Sequence, residues 1–204
     1  MLTALDIFID KASARINRLP ERSLVGLFWA CASALMPEYL NWAVAYGIPG
    51  GEAILRSALD SARSYSEFGL MPPDAAALLA ELEQAVPADD MPGDGLVTFA
   101  QDCWICADVG IRTLVDSHYS AGAAIWYALE PILHRTSEDL FGVYQVGGGP
   151  GQNAKVEVIL AQSRVSRAID FVDWATEFLS EQTAPSSSDL DLVRERAGAL
   201  IGDN

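Results

Sequence analysis

Lysine is nearly missing from this chain: of 204 residues, only Lys11 and Lys155 carry an ammonium group. Arginine does not make up the deficit, because 13 bases stand against 28 acids and leave a net charge of -15. Between Arg63 and Arg112 there is no basic residue at all, yet that stretch holds Glu67, Asp74, Glu81, Glu83, Asp89, Asp90, Asp94, Asp102 and Asp108. A negative field of this kind repels nucleic acid, phosphate ligands and anionic membrane, and it attracts basic protein surfaces.

Other absences narrow the choices further. Three cysteines, Cys31, Cys103 and Cys106, are too few for a disulfide framework. The two histidines, His118 and His134, lie sixteen residues apart and lack the short spacing of a zinc-binding pair. The first residues, Met-Leu-Thr-Ala-Leu-Asp, carry no basic leader pattern. The longest uncharged run, Ser23 to Pro37, is shorter than the ~20 residues that cross a bilayer and reads as a buried core helix. Together these features predict a cytoplasmic protein with no metal and no cofactor.

What is present is helical periodicity. Leu5, Phe8, Ala12, Ile16 and Leu19 recur at the spacing of an amphipathic helix. Pro20 opens a second helix so apolar around its girth that it belongs at the centre, with Pro37 expected to end it and Gly47 to stop a short third. Further helices are predicted over 51–68, from an Asp74 cap to Val86, over 96–116, over 121–134 with a kink at Pro131, and as one long helix over 153–181. Leu140 to Val146 suits an extended piece, and Gly147 to Gly151 a loop. The pattern predicts an all-α, compact single-domain bundle of six to nine helices over 1–182. Residues 183–204 are then a polar linker and a short peripheral helix.

Catalytic motifs are absent or incomplete. Cys103-Trp-Ile-Cys106 lies two turns inside a predicted helix, and Asp102 beside it raises a thiol pKa, opposite to what a redox pair needs. Buried packing is the better account of both thiols. The Gly147-Gly-Gly-Pro-Gly segment precedes a helix, but Ala154 and Val156 around Lys155 do not complete a phosphate loop. Glu130 and His134 share a helix face without an assigned nucleophile, and Trp29, Trp42, Trp104, Trp126 and Trp174 fall on or beside core stripes.

Several segments carry a family resemblance. They are Phe28-Trp-Ala-Cys-Ala-Ser-Ala-Leu-Met-Pro37-Glu-Tyr39, Gly47, Ile54-Leu-Arg-Ser-Ala-Leu59-Asp60, Leu82-Glu-Gln-Ala-Val-Pro87-Ala-Asp89-Asp90, and the Asp102-Cys103 helix. Together, over about residues 24–130, they resemble the bacterial domain-of-unknown-function family 416, whereas the glycine-rich loop and the tail after Pro185 depart from it. That resemblance implies a helical fold and no established activity. More loosely, Trp29-Ala-Cys31 to Pro37 and the Ala53-Ile-Leu-Arg helix are similar to helical immunity proteins of polymorphic-toxin systems, which bind and silence a cognate toxin.

The resulting expectation is a non-enzymatic, acidic module that binds a basic protein, of the toxin-neutralising kind, through Glu81, Glu83, Asp89, Asp90 and Asp94. It is not expected to bind nucleic acid or membrane. The alternative is a helical enzyme or a binder of a small ligand or metal, with a pocket near Cys103, Cys106, His118 and Glu130.

Overall fold

A helical segment that is apolar around its girth is stable in water only where other helices cover it. In the computed structural model, which describes residues 4–48, 51–88, 91, 95–142 and 152–202, that is the position of α2 (Glu21–Tyr46). By length and hydropathy α2 could span a bilayer, but 78% of its most apolar window is buried inside the protein. It is the core helix of the bundle. Its most extensive partner is α5 (Gly95–Val115), with α3 (Glu52–Phe68) and α9 (Ser187–Gly202) closing on its flanks.

Gly26 explains how those flanks come so close. A methyl group there would lie 2.5 Å from Ser66 Oγ of α3 and 2.6 Å from Leu190 Cδ2 of α9, so any larger residue would push those side chains aside. Around this centre, α4 (Ala75–Ala85) packs on α5 and α3, while α6 (Ile125–Phe141) packs on α5 and α8 (Ser163–Ser180). A 3-10 turn (Ala121–Ala124) carries α1 (Ala4–Ile16), and α7 (Gln152–Leu160) bridges α6 and α8. Among the described residues all regular structure is helical, in nine α-helices and that one turn.

Four sequence expectations need correction. Pro37 does not end a helix, because α2 runs through it to Gly47. The proline is exposed, where the carbonyl it leaves unbonded can meet water, while Leu35, Met36, Tyr39 and Trp42 bury the neighbouring faces. The long helix over 153–181 is two helices, separated where Gln162 turns extended and its N–H bonds back to Ile159 in a tightened turn. Helix α6 continues beyond His134 to Phe141, so Leu140 is helical rather than extended; 143–151 lie outside the described residues. The terminal helix is not peripheral: Leu190, Val193 and Ile201 of α9 are buried. The polar linker ahead of it suggests a peripheral helix, but its apolar side chains face α2.

Candidate functional site

The stretch without bases folds as the end of α3, all of α4 and most of α5. The arginines at its two ends reach into it. Arg63 Nε donates to Glu67 Oε1 at 2.6 Å, and its Nη2 lies 3.2 Å from Asp191 on α9. Arg112 donates to Asp108 at 3.0 Å and to Glu83 at 2.6 Å, and these two bonds raise the guanidinium pKa. Asp74 Oδ1 accepts the Ala77 N–H at 3.0 Å, which caps α4. Thus Glu67, Glu83 and Asp108 do have partners, correcting the expectation of unpaired acids. Glu81 is exposed, and Asp89, Asp90 and Asp94 lie outside the described residues.

Next to Glu67 in the chain is a feature the charge pattern did not disclose. Where α3 ends, Phe68, Leu70 and Met71 are 66%, 61% and 52% exposed. Scattered apolar side chains on a surface need no explanation, but three within four residues form a patch. The backbone beneath them is firmly held. Gly69 adopts φ +70, open to glycine without strain, and its N–H bonds to the Tyr65 carbonyl at 2.7 Å. Arg22 of α2 donates to the Ser66 carbonyl at 2.9 Å and to that of Glu67, filling orphan acceptors at the helix end. Ser66 Oγ returns a bond to the Arg22 carbonyl at 2.7 Å, and Pro72-Pro73 stiffens the exit. The result is a rigid apolar knuckle. Phe-Gly-Leu-Met ahead of two prolines was its sequence signal.

The alternative pocket does not assemble. Cys103 and Cys106 are fully buried; Cys103 Sγ lies 3.3 Å from the Ala32 carbonyl of α2. His118 sits on the exposed connection after α5, and Glu130 accepts the Trp126 indole N–H at 2.8 Å. His134 Nε2 lies 3.2 Å from Glu138 Oε1, one turn on along α6. Among the described residues no group of three His, Cys, Asp or Glu side chains is arranged to hold a metal. Burial raises the thiol pKa values, that of Cys31 to about 12, and for Cys103 and Cys106 the Asp102 carboxyl adds to the rise. All three thiols should therefore react slowly with a thiol reagent in the native protein and quickly after denaturation. Fast native labelling of Cys103 or Cys106 would contradict their packing role.

Asp102 itself is the most unusual side chain in the interior. It is 1% exposed, its Oδ2 has no hydrogen-bond partner among the described residues, and desolvation, with Glu130 adding repulsion, pushes its pKa up to about 9. At neutral pH it is an uncharged acid and contributes nothing to the surface field.

The bundle superimposes on the crystal structure of a DUF416 family protein from Shewanella baltica with a TM-score of 0.70. The alignment covers 93% of this chain and 96% of the other. The chain shares its fold with a DUF416 family protein. Sequence identity is 12%, so the likeness concerns architecture and transfers no site residue. No family model matches the sequence, and neither does any curated protein. The DUF416-like fold agrees with the resemblance read from the α2, α3 and α5 segments, and it leaves activity open.

Proposed function

We propose that this DUF416-like chain is a non-enzymatic cytoplasmic module that docks a basic protein, and that it belongs to the toxin-neutralising kind. The observation that carries this reading is the rigid knuckle Phe68-Leu70-Met71, exposed at the end of α3 in a chain of net charge -15 whose sequence after α4 is rich in acids. That charge speeds encounter with a basic surface, and the apolar side chains supply most of the affinity once docked. Because Arg22, Gly69 and the two prolines already fix the knuckle, little conformational freedom is lost on binding. The same charge disfavours nucleic acid and anionic lipid as partners.

The product of the gene adjacent to this one is the natural test partner. Co-expression with this chain should relieve that product's toxicity, and Phe68→Ser with Leu70→Ser should abolish the relief while the protein stays folded. Reversing Asp89, Asp90 and Asp94 to lysine should slow association several-fold and flatten its salt dependence. The matching control reverses Glu157, Glu177 and Glu181, which are exposed on α7, α8 and the residue after it. Asp189 and Asp191 are unsuitable controls, since one caps α9 through Ser186 and the other binds Arg63. Equal slowing by both triplets would reduce the effect to net charge. A photo-reactive residue at position 70 that captures no protein in cells, like one at the exposed Val44, would sink the docking reading.

A further inference from the structure

Helices α8 and α9 enclose a groove of about 350 Å³, within the size range of small-ligand sites. Its floor is apolar: Phe171, Trp174 and Leu200 line it, with Arg167, Asp170 and Arg196 on the rim. The indole of Trp174 is held on edge by its neighbours. Phe178 stacks on it at 5.3 Å and 16°, and the Arg196 guanidinium lies 3.8 Å from its ring centroid. Such stacking fixes both side chains and keeps the cation at the groove.

Arg196 stands out in the charge balance of the chain. In a protein with 28 acids and 13 bases, it meets no carboxylate among the described residues; its contact is the Trp174 ring. Two acids of the same helices are engaged elsewhere, Asp173 by Arg15 and Asp191 by Arg63 and Arg194. The indole N–H of Trp174 likewise makes no hydrogen bond among the described residues. A planar cation and a free N–H beside an apolar floor together form a receptor for a compact anion.

We infer that this α8–α9 groove binds a small amphipathic monoanion, an aryl carboxylate or sulfonate, with its ring on Phe171 and Leu200 and its charge against Arg196. Single charge is part of the inference. Asp170 on the rim and the net charge of -15 oppose a polyanion such as a nucleotide. The site uses other helices than the knuckle and does not depend on the docking reading.

Two fluorescent probes separate the contributions. 8-Anilinonaphthalene-1-sulfonate carries one sulfonate, and N-phenyl-1-naphthylamine has the same aromatic body without it. The native protein should bind the sulfonate in preference to the amine. Arg196→Met keeps apolar cover over Trp174 but removes the charge, and should weaken the sulfonate about tenfold while leaving the amine within about twofold. Arg196→Lys should retain most sulfonate binding, and Trp174→Leu should weaken both probes. Cooperative thermal melts of each variant distinguish groove binding from dye uptake by an unfolded chain. Should Arg196→Met destroy the fold, the comparison of wild type with Arg196→Lys and Trp174→Leu still decides. Equal binding of both probes, or sulfonate affinity untouched by Arg196→Met and Trp174→Leu, would overturn the inference.

Discussion

Stability should fall as pH rises from about 5 to 8, and the substitution Asp102→Asn should remove much of that fall. Asp102 is buried in α5 with its pKa raised to about 9, whereas an unfolded aspartate titrates near 3.8. Between those values the native state holds a proton that the unfolded chain has released. Unfolding free energy then decreases with pH by up to about 1.4 kcal/mol per unit and levels off above the folded pKa. Over three units that amounts to roughly 4 kcal/mol from one group. Asp108 titrates in the same direction, since its burial outweighs the Arg112 contacts, but a smaller contribution is expected from a partly buried acid bonded to a guanidinium. Asparagine keeps the shape of Asp102 and cannot ionise. Denaturant titrations at pH 5, 6, 7 and 8 should give a steep line for the wild type and a flatter one for Asp102→Asn, diverging upward for the variant. Parallel lines would mean that Asp102 is hydrated and charged in the native state.

This acid illustrates what the sequence could disclose. Asp102 was legible as a residue that raises the pKa of the neighbouring thiols, and burial against Cys103 and Cys106 has that effect. Its own neutrality was not legible, because it depends on α5 turning this side chain away from solvent. The helices that were read correctly are those with local causes. Asp74 caps α4 with its own side chain, which accepts the backbone N–H three residues on, and α3 and α5 keep their apolar stripes at helical spacing. The errors occurred where tertiary packing overrode a local signal. Pro37 is a helix breaker by itself, but the burial of α2 on its other faces outweighs the lost hydrogen bond. The division between α7 and α8 has neither proline nor glycine to announce it.

The candidate site was legible in its composition more than in its geometry. Glu83 and Arg112 meet across 29 residues, so the arginine that neutralises the acidic stretch looks, in sequence, like its boundary. The knuckle required knowing that Phe68 points outward after the end of α3, although the position reads equally well as the last turn of an amphipathic helix. The Trp174–Arg196 stack joins two helices, and no spacing rule within one helix predicts it.

Deleting a benzyl ring should have opposite consequences at two phenylalanines. Phe28 is fully buried on α2, facing the point where α3 and α5 converge: a methyl group added at Gly110 would lie 3.9 Å from both the Phe28 and the Ala62 Cβ atoms. A buried ring removed from such a position leaves a cavity that its neighbours fill only in part. Phe28→Ala should therefore lose about 3–5 kcal/mol and lower the melting temperature on the order of 10 °C. Phe68 carries the same ring but leaves 66% of itself in water, so Phe68→Ala should change stability by no more than about 0.5 kcal/mol. If the knuckle is a docking element, that second variant should lose about 2 kcal/mol of affinity for the basic partner while its melt stays at the wild-type temperature. A large stability loss at Phe68 would instead make the ring a packing residue, and the apolar exposure at the end of α3 would lose its meaning as a surface for another protein.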